Sequence, residues 1–139
     1  MGPVIETDLP LGGGRTLRAY DTGGAGRPVF WLHGTPNVGP PPAPLFAAAD
    51  RLGLRWLGYD RPGYGGSTRR PGRNMASAAG DLAAVADRLG LPAFGVFGHS
   101  SGAIHAAAVL AQQLPAAAFA KFLNAAWVPE PAWPSIAPV

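Results

Sequence analysis

The sequence predicts an α/β fold built on a doubly wound, mostly parallel sheet. Three short apolar runs alternate with three segments of helical spacing along the middle of the chain. Continuous apolar runs are typical of strands that are buried on both faces, as in parallel sheets. The connections between the runs are long enough to hold the crossover helices that parallel strands require.

Length and composition favour one globular domain. Of the 139 residues, 47% are hydrophobic and 14% are charged, so the chain can bury a core. The absence of cysteine excludes a disulfide, a thiolate nucleophile and a cysteine-ligated metal. The net charge is +3, but the arginines are scattered apart from Arg69, Arg70 and Arg73. We therefore expect a solvated loop there and no nucleic-acid partner.

No segment has the pattern of a targeting signal or a membrane span. Residues 1–8 contain neither a basic region nor an apolar run, which a secretory signal would require. The most apolar stretch, 103–122, is interrupted by polar residues such as His105 and Lys121. It is not expected to cross a bilayer, so a cytoplasmic location without a membrane partner is expected.

The first predicted element is an N-terminal hairpin. Residues 16–20 alternate in polarity and lie between two glycine clusters, and 4–8 supply the partner strand. The apolar runs that follow predict three buried strands, at 28–33, 54–60 and 93–98.

Three helices are predicted between and after these strands. The first covers 45–52, the second 74–89 and the third 101–114, with Gly90 and Pro115 as the stops of the last two. In the second helix, apolar residues recur every three or four positions, namely Met75, Ala79, Leu82, Val85, Ala86 and Leu89. Its charged residues, Asp81, Asp87 and Arg88, are expected on the surface.

The strongest motif is Gly98-His99-Ser100-Ser101-Gly102, a G-x-S-x-G sequence between a buried strand and a helix. A sharp turn there would present the Ser100 hydroxyl above the sheet edge, and glycines on both sides would leave room for neighbouring backbone. The N-terminus of the following helix would favour developing negative charge.

Two further motifs end the preceding strands. His33-Gly34-Thr35-Pro36 follows the strand at 28–33, and such a loop can turn a backbone N–H toward the serine. The segment 60–67, Asp-Arg-Pro-Gly-Tyr-Gly-Gly-Ser, follows the next strand and on its own indicates only a tight turn.

Together, in this order, the three motifs resemble the α/β-hydrolase family over about residues 15–112. The resemblance implies an eight-stranded, mostly parallel sheet and a serine–acid–histidine triad, with Ser100 as the nucleophile. It also implies an oxyanion hole made by the backbone N–H groups of Thr35 and Ser101. The supporting residues would be His33, Gly34, Gly98 and Gly102.

The resemblance also narrows the chemistry. A serine at position 100, where related enzymes have aspartate, counts against haloalkane dehalogenase and epoxide hydrolase chemistry. The sequence HG-T-P instead of HG-G-P-G weakens a proline iminopeptidase assignment. The function that these exclusions leave is an esterase-like hydrolysis of a small-molecule acyl substrate. No cofactor or metal is expected. Perhydrolases and C–C bond hydrolases are the related activities.

The triad acid and histidine have no obvious counterparts in the sequence. After Ser100 there is one acid, Glu130, and one histidine, His105. His105 lies five residues into the helix, about 7 Å below Ser100, so it is expected to be a core or surface residue. His99 is expected to point away from Ser100, and His33 is expected to brace its own loop.

These observations divide the chain into two parts. Residues 1–112 are predicted to be the N-terminal part of the hydrolase core, incomplete at its C-terminal side. Residues 113–139 are an atypical Ala/Pro-rich tail, with one strand at 119–126 compatible with its composition. A truncation or a frameshift before the acid and histidine would explain this pattern.

Two alternatives stay open at this point. One is a non-catalytic protein of the same fold that binds a ligand or a partner. The other is nucleotide binding. The sequence gives this hypothesis little support, because neither G-x-x-x-x-G-K-[ST] nor G-x-G-x-x-G is present. An unpaired strand at the sheet edge would in addition favour self-association.

Overall fold

Three parallel strands that end at one edge organise residues 2–113, which are the residues that the computed structural model describes. A hairpin precedes them and helices connect them. The strands are β1 (Ile5–Pro10), β2 (Thr16–Asp21), β3 (Arg27–Leu32), β4 (Leu54–Tyr59) and β5 (Gly95–Gly98). The helices are α1 (Phe46–Leu52), α2 (Ser77–Arg88) and α3 (Ser101–Gln113), with short 3₁₀ turns at Gly12–Gly14 and Ala43–Leu45.

The five strands form one mixed sheet in the order β1-β2-β4-β3-β5. β1 and β2 are the predicted antiparallel hairpin, and β2 also runs antiparallel to β4. β3 lies between β4 and β5 and is parallel to both. The predicted α/β class with helices on both faces of the sheet is confirmed.

Successive residues of the central strands pack on opposite faces of the sheet. Phe30 and Leu32 of β3 pack with Leu57 and with the inner faces of α2 and α3. Trp31 points to the opposite face, as alternation in a strand requires, and packs with Trp56 and Ala49 near α1. The sheet is thus covered on both sides, which explains the continuous apolar runs.

Two details of α2 differ from the sequence prediction. The helix begins at Ser77, and the turn before it is closed by Asn74 and Ser77: each side chain accepts the backbone N–H of the other, at 3.0 and 3.1 Å. The prediction that Asp81 lies on the surface was wrong. Asp81 is buried, because it follows Ala78 by three positions and precedes Val85 by four, on the face that meets the core.

The sheet described by residues 2–113 ends at β5 on one side, and α3 is the last described element. The strand predicted at 119–126 lies outside the described residues. Among residues 2–113, β5 pairs with β3 alone, and Ile104 on α3 is 57% exposed. None of the described helices has the length and apolar character needed to cross a bilayer.

The side of β5 that pairs with no strand among residues 2–113 leads to a prediction for a polypeptide of these 139 residues. An unpaired strand edge beside an exposed apolar helix face favours pairing between chains, so we expect self-association and marginal stability. Size-exclusion chromatography, with urea unfolding at several protein concentrations, measures both. A monodisperse monomer whose unfolding is cooperative and independent of concentration would contradict the prediction.

Candidate active site

Ser100 occupies a strained turn between β5 and α3. Its φ is +53°, and no other non-glycine residue among 2–113 has a positive φ. A side chain in this left-handed region costs about 1–2 kcal/mol, so neighbouring structure must enforce it. The residue is exposed at the carboxyl end of the parallel strands. The sharp turn predicted from G-x-S-x-G is therefore present.

Two glycines allow this turn because backbone approaches them closely. A Cβ on Gly98 would lie 2.5 Å from the backbone nitrogen of Ala103. A Cβ on Gly102 would overlap the carbonyl oxygen of Leu32 and lie 2.8 Å from that of His33. α3 can therefore begin directly against the end of β3, which a side chain at either position would prevent.

The loop after β3 lies beside the turn. A Cβ on Gly34 would come within 3.0 Å of the Ser100 Cβ, so the two segments are in contact there. The hydroxyl oxygens of Thr35 and Ser101 are 3.2 Å apart. Within residues 2–113, neither residue's backbone N–H donates a hydrogen bond. The structure thus brings together both residues predicted to form the oxyanion hole.

His33 braces this loop and does not contact Ser100. Its Nδ1–H donates to the Gly34 carbonyl at 2.9 Å, and its Nε2 accepts the backbone N–H of Arg61 at 3.1 Å. Burial lowers the pKa of His33, and the hydrogen bond to Gly34 opposes that effect. Both ring nitrogens are occupied in the neutral form, so this histidine has no free lone pair for a general base.

Arg61 is a functional candidate that the sequence analysis missed. Its side chain is only 2% exposed, and its guanidinium donates to the His33 carbonyl at 2.5 Å. It also reaches the hydroxyl oxygens of Thr35 and Ser101, at 3.5 Å each, and lies 5.0 Å from the centre of the Tyr64 ring. In the described part of the chain, no carboxylate forms an ion pair with it.

Asp60 was also missed, because the sequence assigned its motif only to a turn. The fully buried carboxylate accepts three hydrogen bonds: from the Tyr20 hydroxyl at 3.1 Å, the Gly39 N–H at 2.6 Å and the Gly66 N–H at 2.8 Å. A Cβ on Gly65 would overlap the same carboxylate, which explains a glycine there. Asp60 thereby joins β2, the loop before α1 and the turn after β4.

The remaining histidines are placed as the sequence analysis expected. The His105 Nδ1–H donates to the Ser101 carbonyl at 2.9 Å inside the core, and burial lowers its pKa. The His99 ring stacks on Trp31 at 5.7 Å. Within residues 2–113, no histidine ring is hydrogen-bonded to Ser100, and no cluster of three His, Cys, Asp or Glu residues could hold a metal. Glu130 lies outside the described residues.

Comparison with known proteins places this geometry in a family. Residues 27–126 match the model of the alpha/beta hydrolase fold. An alpha/beta hydrolase from Sphaerobacter thermophilus is 32% identical over 78% of this chain, with a TM-score of 0.60. An esterase from Exiguobacterium antarcticum is 29% identical over 81%, also with a TM-score of 0.60.

A more distant match shows the breadth of chemistry on this fold. A mutant epoxide hydrolase from Vigna radiata is 24% identical over 81% of this chain, with a TM-score of 0.60, which supports the fold alone. The chain spans 41% of the first two proteins and 36% of the third. Among curated proteins there is no match.

The close approach at Gly102 predicts a large difference between two Gly→Ala variants. Gly102→Ala should destabilise the fold by about 1–3 kcal/mol or more, because backbone must move to admit the methyl group. Gly80→Ala is the matched control, since its Cβ would meet nothing within 4 Å on α2. The control should be neutral or gain about 0.5–1 kcal/mol in urea unfolding. Equal effects of the two substitutions would contradict the packing described here.

The buried histidines predict that stability falls on acidification. The pKa values of His33 and His105 are lowered from 6.5, so below that pH the unfolded chain binds protons that the folded chain does not. We expect both rings to titrate below 6.5 by NMR. The free energy of unfolding should fall in that range, by at most about 1.4 kcal/mol per pH unit for each ring. Titration at or above 6.5 would contradict this.

Proposed function

The chain belongs to the α/β hydrolase fold family, and we propose that it supplies the nucleophile and oxyanion hole of a serine hydrolase. The observation that carries this proposal is the strained, exposed Ser100 beside Thr35 and Ser101. Backbone strain of this kind persists only where surrounding structure enforces it, and it is common at active sites. The proposed reaction is esterase-like hydrolysis of a small-molecule acyl compound.

The geometry fits the first half of acyl transfer. The Ser100 hydroxyl oxygen attacks the carbonyl carbon and gives its proton to a general base. The carbonyl oxygen, now negative, accepts hydrogen bonds from the backbone N–H groups of Thr35 and Ser101. The tetrahedral intermediate collapses to an acyl-enzyme as the leaving alcohol takes the proton, and water releases the acid in the reverse sequence.

Two charges favour an oxyanion at this point. α3 begins at Ser101, so the partial positive charge of its N-terminus lies beside Ser100. The buried guanidinium of Arg61 lies 3.5 Å behind the hydroxyl oxygens of Thr35 and Ser101. In a site of low dielectric, such fixed positive groups stabilise developing negative charge more than water does.

The nature of the nucleophile favours esters over epoxides. In the α/β-hydrolase family, epoxide hydrolases and haloalkane dehalogenases have an aspartate as the nucleophile. This chain has a serine, Ser100, at the corresponding position. The identity of the acyl and alcohol groups is not part of the proposal.

A general base must come from outside the described residues. In this family the order is serine, then acid, then histidine. The chain spans about two fifths of the length of the matched hydrolases, and both residues would belong to the remaining part of such an enzyme. If no such part acts with this chain, the same geometry fits the alternative of a non-catalytic protein that binds a ligand.

Chemical rescue tests the assignment of Ser100. Without a histidine, turnover of an activated ester should be very low, since loss of that base costs on the order of 10⁶ in a well-studied serine hydrolase. Added imidazole should restore acylation of Ser100, detected by mass spectrometry of peptides. Ser100→Ala should abolish the adduct, and Ser101→Ala, which keeps its backbone N–H, should retain it.

Three results would contradict the proposal in different ways. An adduct that persists in Ser100→Ala would show that another group is the nucleophile. Robust hydrolysis by the unmodified chain without imidazole, lost in Ser100→Ala, would show that the chain contains its own base. No adduct under any condition would favour the non-catalytic alternative.

A further inference from the structure

Four buried polar atoms without hydrogen-bond partners among residues 2–113 belong to residues that line one small cavity between α2, α3 and the end of β4. They are Tyr59 Oη, Arg61 Nε, Asp81 Oδ2 and His105 Nε2. The four residues are 0–6% exposed, so bulk water does not reach them. Residues 2–113 contain only two other such atoms, so the unsatisfied groups are concentrated here. Buried polar groups in native proteins are almost always paired, which indicates a ligand.

The hydrogen-bonding capacity of each atom can be assigned from its neighbours. Arg61 Nε–H can only donate, and the Tyr59 hydroxyl is free to donate. Asp81 Oδ2 can only accept, since the other carboxylate oxygen is 3.3 Å from Arg15 in an ion pair. His105 Nδ1 lies 2.9 Å from the Ser101 carbonyl oxygen and 3.4 Å from Arg61 Nη1. The shorter contact requires the proton on Nδ1, because a carbonyl oxygen can only accept, and Nε2 is then an acceptor. The four unpaired atoms are therefore two donors and two acceptors.

This balance selects one kind of ligand. A cation cannot accept from Arg61 and Tyr59, and a monatomic anion cannot donate to Asp81 and His105. A water molecule accepts two hydrogen bonds and donates two, and buried waters usually have two to four such partners. We propose that this cavity is a binding site for one buried water held by Tyr59, Arg61, Asp81 and His105.

The water would link α2 to the candidate active site. Asp81 lies on α2, and through the water its carboxylate becomes a counter-charge for the Arg61 guanidinium. The other nitrogens of that guanidinium reach His33, Thr35 and Ser101. Asp81 is then a positioning residue for Arg61, which it holds without touching the reacting atoms. The water site does not depend on Ser100 being a nucleophile.

A crystal structure of the 139-residue chain tests the site directly. Electron density for one ordered water within hydrogen-bond distance of Arg61 Nε and Asp81 Oδ2 is the expected result. A dry cavity, or a direct contact between those two atoms, would overturn the proposal.

The sign of a stability change tests the site in solution. If the water is present, Tyr59→Phe removes a satisfied hydrogen bond and lowers the urea midpoint of unfolding. If the hydroxyl is unsatisfied, the same change removes a buried unpaired group, and the midpoint rises or stays unchanged, which overturns the proposal. Tyr20→Phe is the benchmark, because its hydroxyl donates to Asp60 at 3.1 Å and its loss must be destabilising.

Nitrogen-15 NMR of the histidine rings adds a third readout that needs no variant. The proposal requires His105 in the neutral form with the proton on Nδ1 and an unprotonated Nε2 that accepts from the water. A protonated Nε2 at neutral pH would leave the water with too few acceptors and would contradict the site.

Discussion

A buried carboxylate, that of Asp60, holds together the segments that meet at the carboxyl end of the sheet. A charge without contact to solvent is costly unless hydrogen bonds replace its hydration. Here Tyr20, Gly39 and Gly66 supply three donors from three separate segments. The cost of leaving the carboxylate unsatisfied is therefore what fixes β2, the loop before α1 and the turn after β4 relative to one another. Apolar packing alone would not define these loops so closely.

Arg61, the residue after Asp60, connects these segments to the candidate site. The backbone N–H of Arg61 binds the His33 ring, and its guanidinium binds the His33 carbonyl. The loop with Gly34 and Thr35 is thus held by polar contacts on one side and by the Ser100 turn on the other. Because every element of the site is attached to the sheet through such contacts, little rearrangement is needed to present two backbone N–H groups to a substrate.

The sequence was sufficient for the fold and for the turn at Ser100, but not for the polar network beneath it. Strands and helices follow from local apolar periodicity, and G-x-S-x-G in its strand–helix context indicates a specific backbone shape. Apart from the local contacts of Asp60 with Gly66 and of Arg61 with Tyr64, the hydrogen bonds of Asp60 and Arg61 described above join residues 21 to 40 positions apart, so local patterns contain no sign of them. The burial of Asp81 follows from its position on the apolar face of α2 and was misread, whereas its partner Arg15, 66 positions away, has no local signal. The catalytic role of Ser100 stays a prediction.

The φ of +53° at Ser100 also bears on how this position would drift under mutation. Glycine fits that backbone without strain and asparagine with less strain than other residues, so either would relieve the turn. If selection acted on stability alone, we would expect glycine or asparagine to replace the serine at this position. A serine at this position keeps the chain about 1–2 kcal/mol less stable than it could be. Such a standing cost is easiest to understand if the hydroxyl itself is under selection.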